Sequence, residues 1–194
     1  MFQKEKPKDN ERRRFLKGVG VTIAAGAMAA LAACVPKVRK DQKAVLAAGV
    51  ISHDPSECAG CGVCGLMCSL YHFGEQGWSL SASEVVRDPF EANYAFNVCQ
   101  QCASPSCYFV CPLPDVARCI DEKTGARYVN AEKCIGCGKC REACPFKPTR
   151  VKQLTERKFA FNCDLCRNRE QGPICVEYCT MWALTYVPAE RRMV

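Results

Sequence analysis

An α+β fold of short strands and short helices, duplicated inside one chain around metal centres, is what this sequence predicts, and three observations predict it. Sixteen of the 18 cysteines fall into four groups that each end in CxxxC. The stretches between the groups read as pairs of short strands around polar turns. The alternation of cysteine group and strand pair repeats along the chain, which marks a duplicated unit.

The groups are Cys58, Cys61, Cys64 and Cys68; Cys99, Cys102, Cys107 and Cys111; Cys134, Cys137, Cys140 and Cys144; and Cys163, Cys166, Cys175 and Cys179. The first and third read CxxCxxCxxxC, and the second and fourth widen only the middle gap. This spacing suits a cubane iron-sulfur cluster, because a tight loop supplies three thiolates at short intervals. Gly60, Gly62 and Gly65 interleave the first group, and Gly136 and Gly138 the third, where the loop needs positive φ and close amides. The fourth cysteine, four residues past the third, falls on the same face of a short helix one turn on. Proline follows it at Pro112 and Pro145, whereas Ser69 and Thr180 stand at the other two positions. A zinc site asks instead for CxxC pairs a dozen or more residues apart, and a disulfide scaffold for scattered half-cystines. Four complete groups predict four [4Fe-4S] clusters.

The elements follow in order. A first strand is expected near Val50 and Ile51, then a pair carrying Val85, Val86, Tyr94 and Phe96 around a turn at Asp88-Pro89. Leu80 belongs to the same strand-forming segment. Thr124-Gly125 is the expected tip of a hairpin with Arg127, Tyr128 and Val129 on its return strand. Residues 150–152 and 159–161 make the last pair, and the helices between the strands are one or two turns long. With 194 residues the chain has room for one or two small domains, and the clusters themselves form the core. A metal-free chain is therefore expected to be largely unfolded.

Residues 1–33 read as an export address. Arg12-Arg13-Arg14-Phe15-Leu16-Lys17 resembles the twin-arginine signature RRxFLK, and the uncharged stretch after it is shorter than the roughly 20 residues that cross a bilayer. Arg12 and Arg13 carry the signal, and folded export suits a protein loaded with clusters before it crosses. Leu31-Ala32-Ala33-Cys34 resembles a lipoprotein cleavage site, with Cys34 as the lipid-bearing residue. Ordinary cleavage after a small-x-small triplet and retention of an uncleaved anchor are the alternatives. The expected location is extracytoplasmic, on the periplasmic side, tethered to the membrane.

The formal charge of +7 misleads. Seven basic and three acidic residues lie in the leader, leaving +3 for the remainder, and each thiolate-bound cluster adds about −2, so the loaded protein is near −5. Nucleic acid is excluded as a partner on that charge.

The segments VCQQCASPSCYFVCP, KCIGCGKCREACPF and FNCDLCRNREQGPICVEYC resemble the four-cluster, ferredoxin-type electron-transfer subunits of molybdenum or tungsten oxidoreductases. Dimethyl sulfoxide reductase, polysulfide reductase, formate dehydrogenase and nitrite-reductase-associated complexes contain such subunits, and the resemblance covers residues 51 to about 187. The segment CGLMCSLYHFGE is also similar to ferredoxins that accompany tungsten enzymes. The resemblance implies a duplicated bacterial dicluster ferredoxin-like fold, two 2[4Fe-4S] modules, in which outer motifs share ligands with each other and inner motifs do likewise.

It implies a first cluster on Cys58, Cys61, Cys64 and Cys179, and a second on Cys163, Cys166, Cys175 and Cys68. Cys99, Cys102, Cys107 and Cys144 hold the third, and Cys134, Cys137, Cys140 and Cys111 the fourth. The domains are then a signal peptide (1–33), a lipid-anchor tether (34–50), an outer module (51–98 with 151–187), an inner module (99–150) and a tail (188–194). The segment CPLPDVARCIDE departs from the family by its extra prolines, and Cys119, outside every group, is expected as a buried apolar residue on a strand.

The function expected is a non-catalytic relay of electrons through four clusters. Its partners are a pterin-type molybdenum or tungsten catalytic subunit and a membrane or periplasmic redox partner. A quinone-coupled subunit attached to a multi-span membrane protein, and a zinc-stabilised module with no redox role, are the alternatives. His53 and His72 are expected as surface or packing residues, and Asp121 and Glu122 as solvated. Lys147, Arg150, Lys152, Arg157 and Lys158 are expected as a solvated charged face, with docking to an acidic partner as the alternative.

Overall fold

Four antiparallel strand pairs, each two strands wide, alternate with four helices in residues 46–88, 90 and 93–189, the residues that the computed structural model describes. The order is β1 (Gly49–His53), α1 (Val63–Phe73), a 3-10 turn (Trp78–Leu80), β2 (Glu84–Asp88) and β3 (Asn93–Asn97). Then come α2 (Ser106–Phe109), β4 (Arg118–Ile120), β5 (Arg127–Val129), α3 (Lys139–Glu142), β6 (Lys152–Leu154), β7 (Phe159–Phe161), α4 (Ile174–Glu177) and β8 (Leu184–Pro188). Three pairs are local, and the fourth joins the two ends: Gly49 lies opposite Pro188 and His53 opposite Leu184. Among these residues no helix is long and apolar enough to cross a membrane.

The expected strand pairs form, although Leu80 belongs to the 3-10 turn and the strand expected over 150–152 runs instead from Lys152 to Leu154, leaving Arg150 and Val151 before it. At the tip between β4 and β5, Gly125 takes φ 63° and the Asp121 carboxylate accepts from the Thr124 amide and hydroxyl, at 2.9 and 2.8 Å. Asp121 also lies 3.3 Å from Arg167, so it is a half-buried turn-holder and not the solvated residue expected.

The helices differ from expectation in length. The first runs 11 residues, and Ser69 after Cys68 permits this where proline follows Cys111 and Cys144, although Thr180 after Cys179 does not lengthen the last helix. It ends at Gly74, whose left-handed φ of 71° lets its amide donate to the Leu70 carbonyl. Ser69 is fully buried, donating to the Leu66 carbonyl and accepting from the Gly77 amide. The other three helices are single turns, and their fourth cysteines, Cys111, Cys144 and Cys179, lie two residues beyond the last helical residue. The expected shared helix therefore holds only for Cys64 and Cys68.

The cores are built on thiols. In the larger, Cys64, Cys68, Cys99, Cys163 and Cys175 pack with Ile51, Phe96, Val98, Phe161, Leu165 and Leu184. A smaller core joins Cys140 and Cys144 to Val151 and Ala160. Helix α1 packs on α4, and α2 on α3.

Candidate metal centres

Each cysteine group begins with the same backbone turn. The residue just before the second cysteine is left-handed in all four: Gly60 at φ 63°, Gln101 at 48°, Gly136 at 66° and Leu165 at 60°. Glycine adopts this without cost, and a Cβ on Gly136 would lie 2.5 Å from the Lys158 carbonyl oxygen, so no side chain fits there. Gln101 and Leu165 incur about 1–3 kcal/mol each for the same conformation. Gln101 offsets it with two buried bonds: Nε2 donates to the Cys163 carbonyl at 2.7 Å, and Oε1 accepts from the Arg127 amide at 2.8 Å. The first and third groups then enter their helices through left-handed Gly62 and Gly138, and the second and fourth through Pro105 and Pro173.

The turns bring thiols together across groups. Cys64 lies beside Cys61, Cys179 and Cys58, and all four line one small cavity. Cys68 lies beside Cys163, Cys166 and Cys175. Cys102 faces Cys107 and Cys144, and Cys99 faces Cys107 and Cys102. Cys111, Cys134, Cys137 and Cys140 line a second small cavity.

These four sets adjoin one another in series. Cys64 neighbours Cys175, Cys163 neighbours Cys99, and Cys140 neighbours Cys107. The sets thus form a row, with Cys58, Cys61, Cys64 and Cys179 at one end and Cys111, Cys134, Cys137 and Cys140 at the other. Among the seventeen described cysteines only Cys61 and Cys137 are exposed, one in each end set.

The electrostatics of these sets call for a cation. Burial pushes the Cys64 thiol up to about 12, and Cys61, Cys179 and Cys58 add to the shift. Burial likewise lifts Cys166 to about 12 and Cys99 and Cys140 to about 11, and drives Cys163 and Cys175 well above the ordinary range. Cys144 goes the other way: burial raises it, but the amides of Arg150 and Phe146 outweigh that and stabilise its thiolate. The Arg150 amide is 3.3 Å from Cys144 Sγ, the Ala160 amide 3.5 Å from Cys134 Sγ and the Gly60 amide 3.4 Å from Cys58 Sγ. Soft sulfur donors that resist ionising alone, with backbone amides aimed at several of them, fit a thiolate-bound iron-sulfur group.

One residue at these sites escaped the sequence. Arg118, on β4, is 1% exposed, and its Nη2 donates to Cys107 Sγ at 2.9 Å while Nη1 donates to Asn162 Oδ1 at 2.7 Å. Its Nε has no acceptor among the described residues. Arg127 is equally buried, and the register Arg118↔Val129 and Ile120↔Arg127 puts both arginines on one face of the hairpin. A diagonal pair of arginines on one hairpin face was the available signal.

Other expected residues divide. Cys119 is buried on β4, with its thiol 3.6 Å from the Val116 carbonyl. His53 packs on Phe96. His72 is turned onto the fourth cysteine group, with Nε2 3.4 Å from Asp164 and 3.8 Å from Cys166. Of the five cations expected to face solvent, Lys152 pairs with Glu84, Arg157 with Glu75 and the Phe73 ring, and Arg150 stacks on Phe146. Arg12, Arg13 and Cys34, with the export and lipid-anchor assignments that rest on them, lie outside the described residues.

Residues 90–188 match the family model described as 4Fe-4S dicluster domain. The chain is 32% identical over 145 residues to the putative electron transport protein YsaA of Escherichia coli, across 71% of this chain and 88% of that one. It is 39% identical over 125 residues to the polyferredoxin-like subunit of aliphatic sulfonate oxidoreductase from Pyrococcus furiosus, across 64% of this chain and 68% of the relative. With a component of anaerobic dimethyl sulfoxide reductase from Haemophilus influenzae the identity is 30% over 153 residues, across 71% of this chain and 72% of the relative.

Proposed function

The chain belongs to the 4Fe-4S dicluster domain family as an iron-sulfur electron-transport subunit, and from that premise we propose that it relays electrons through four [4Fe-4S] centres between two redox partners. The observation that carries the reading is the row of thiol sets with one exposed cysteine at each end. An electron is exchanged where a centre comes near the surface, so the two ends act as ports and the buried middle as the connection. The centres supply reversible one-electron chemistry when bound. The protein's own residues supply the thiolates, exclude water from the middle sets, and aim amides at the sulfurs.

The ligand sets follow the nested pattern: Cys58, Cys61, Cys64 and Cys179; Cys163, Cys166, Cys175 and Cys68; Cys99, Cys102, Cys107 and Cys144; Cys134, Cys137, Cys140 and Cys111. Two modules are supported by the packing of α1 on α4 and of α2 on α3. One partner is a pterin-type molybdenum or tungsten catalytic subunit, a reading drawn from relatives named as parts of sulfonate and sulfoxide oxidoreductases. The other is a membrane or periplasmic acceptor, reached by folded twin-arginine export and a lipid on Cys34.

Anaerobic purification with iron and sulfide counting tests the foundation. Equal iron and sulfide at full occupancy of four cubanes, with paramagnetic signals after dithionite, is expected. Zinc in place of iron, or no signal, overturns the reading. Lipid labelling lost in Cys34→Ala, and export lost when Arg12 and Arg13 are both changed to Lys, test the location.

A further inference from the structure

Two sets of thiols in the inner part of the chain share a single buried cation. Arg118 donates to Cys107 Sγ of one set and lines the cavity formed by Cys111, Cys134, Cys137 and Cys140 of the next. Its position is held from a third side: Asn162 accepts from Nη1, and the Asn162 amide nitrogen donates to the carbonyls of Arg127 and Cys163, each at 2.8 Å. The guanidinium is thus tied to the backbone of the residue that opens the fourth cysteine group. Its Nε–H, buried and without an acceptor among the described residues, is a donor for an atom that the protein does not provide.

A buried arginine is costly to desolvate and persists only where anions face it. Two thiolate-bound centres supply such anions, each about −2 when oxidised and about −3 after one electron arrives. The electron adds one negative charge, breaks no bond and moves no proton. A fixed positive charge therefore stabilises the reduced form of each neighbouring centre more than the oxidised form, and it offsets the repulsion between two reduced neighbours. No lysine or arginine comparably buried lies in the two outer sets: Arg118 and Arg127 are the only buried cations among the described residues, and both belong to the inner hairpin.

We propose that Arg118 is a positioning residue for electrons: its buried guanidinium, bonded to Cys107 and facing the Cys111, Cys134, Cys137 and Cys140 cavity, raises the reduction potentials of those two adjacent centres and leaves the outer two unaffected. The inference rests on the iron-sulfur reading above. It deepens that reading by making the inner pair the place where an electron comes to rest, with the outer pair as its approach.

The test is a dithionite redox titration of the whole cluster-loaded protein, followed by paramagnetic resonance, with iron and sulfide counted on each sample. In Arg118→Gln, the equilibrium constant for reducing two of the four centres is expected to fall by about tenfold or more, with the other two unchanged. Arg118→Lys keeps the charge and is expected to titrate close to the parent protein. Asn162→Asp leaves the arginine in place but neutralises it, and is expected to lower the same two centres. Full iron with all four midpoints unmoved in Arg118→Gln or Asn162→Asp overturns the proposal, as does an Arg118→Lys protein shifted as far as Arg118→Gln. Loss of iron from both Arg118→Gln and Asn162→Asp makes the arginine a structural support only, and also overturns it. Absence of iron from the parent protein would instead remove the function proposed above, a result the counting separates from the others.

Discussion

The outer and inner parts of this molecule hold their thiols in opposite surroundings. In the outer part, Cys64, Cys68, Cys163 and Cys175 are set, with Cys99 from the inner part, among Ile51, Phe96, Phe161, Leu165 and Leu184, and the ring of Phe73 meets those of Phe159 and Phe161. In the inner part, Arg118, Arg127 and Gln101 are buried and bonded to one another, to the cysteine backbone or to Asn162, which reaches in from the outer part. The same sulfur chemistry is thus insulated on one side by hydrocarbon and on the other by a polar network. The lesson is that spacing specifies where thiols converge, while the residues between the groups specify the field they converge in.

The largest expected effect separates the two parts by ligand loss. Cys175→Ser places a hydroxyl in the larger apolar core as well as removing a thiolate. It is expected to yield protein depleted of iron in more than one centre, with no cooperative melt. Cys137→Ser, at the exposed end of the inner part, is expected to lose iron from one centre and keep the remaining fold. Iron per chain and a thermal scan check both, and equal losses in the two variants would erase the contrast.

The next effect tests the shared left-handed turn. Gly136→Ala drives its methyl against the Lys158 carbonyl, whereas Gly60→Ala meets the edge of the Tyr94 ring, a side chain that turns aside. A loss of about 3 kcal/mol or more is expected for Gly136→Ala, from backbone strain plus overpacking, with a smaller loss for Gly60→Ala. Denaturant melts of the loaded protein measure the difference. Gln101→Leu keeps the side-chain bulk but leaves the Arg127 amide and the Cys163 carbonyl without that partner, and about 2 kcal/mol of destabilisation is expected by the same melts. Leu165, at the matching position in the outer part, makes no such bonds, so Leu165→Ala is expected to weaken packing without touching the polar network. The smallest effect is Lys152→Ala: its pairing with Glu84 is partly exposed, and a change below about 1 kcal/mol is expected.

The strand pairs were legible because runs such as Val85-Val86, Tyr94 and Phe96 alternate around turn residues, and that local signal sufficed for three hairpins. The pairing of β1 with β8 was not, since register between distant segments leaves no local mark. Helix lengths failed at one position: the serine after Cys68 allows a continuation that proline forbids at Pro112 and Pro145, but Thr180 after Cys179 allows it too and the helix there stays one turn long. At the sites, the thiol groups were visible and their surroundings were not. Arg118 drew no reading and Arg127 only its place on a strand, because a strand's pattern shows which residues share a face but not which face is turned inward. Asp121 was misread likewise, its partner Arg167 lying far along the chain.

The pairing of β1 with β8 makes closure of the described fold depend on segments from both of its ends. Of the eight strands among the described residues, β8 is the last to be made, and until then β1 has an open edge and the thiol of Cys179 has not joined those of Cys58, Cys61 and Cys64. A chain lacking β8 therefore keeps an open strand edge and a first thiol set short of one member.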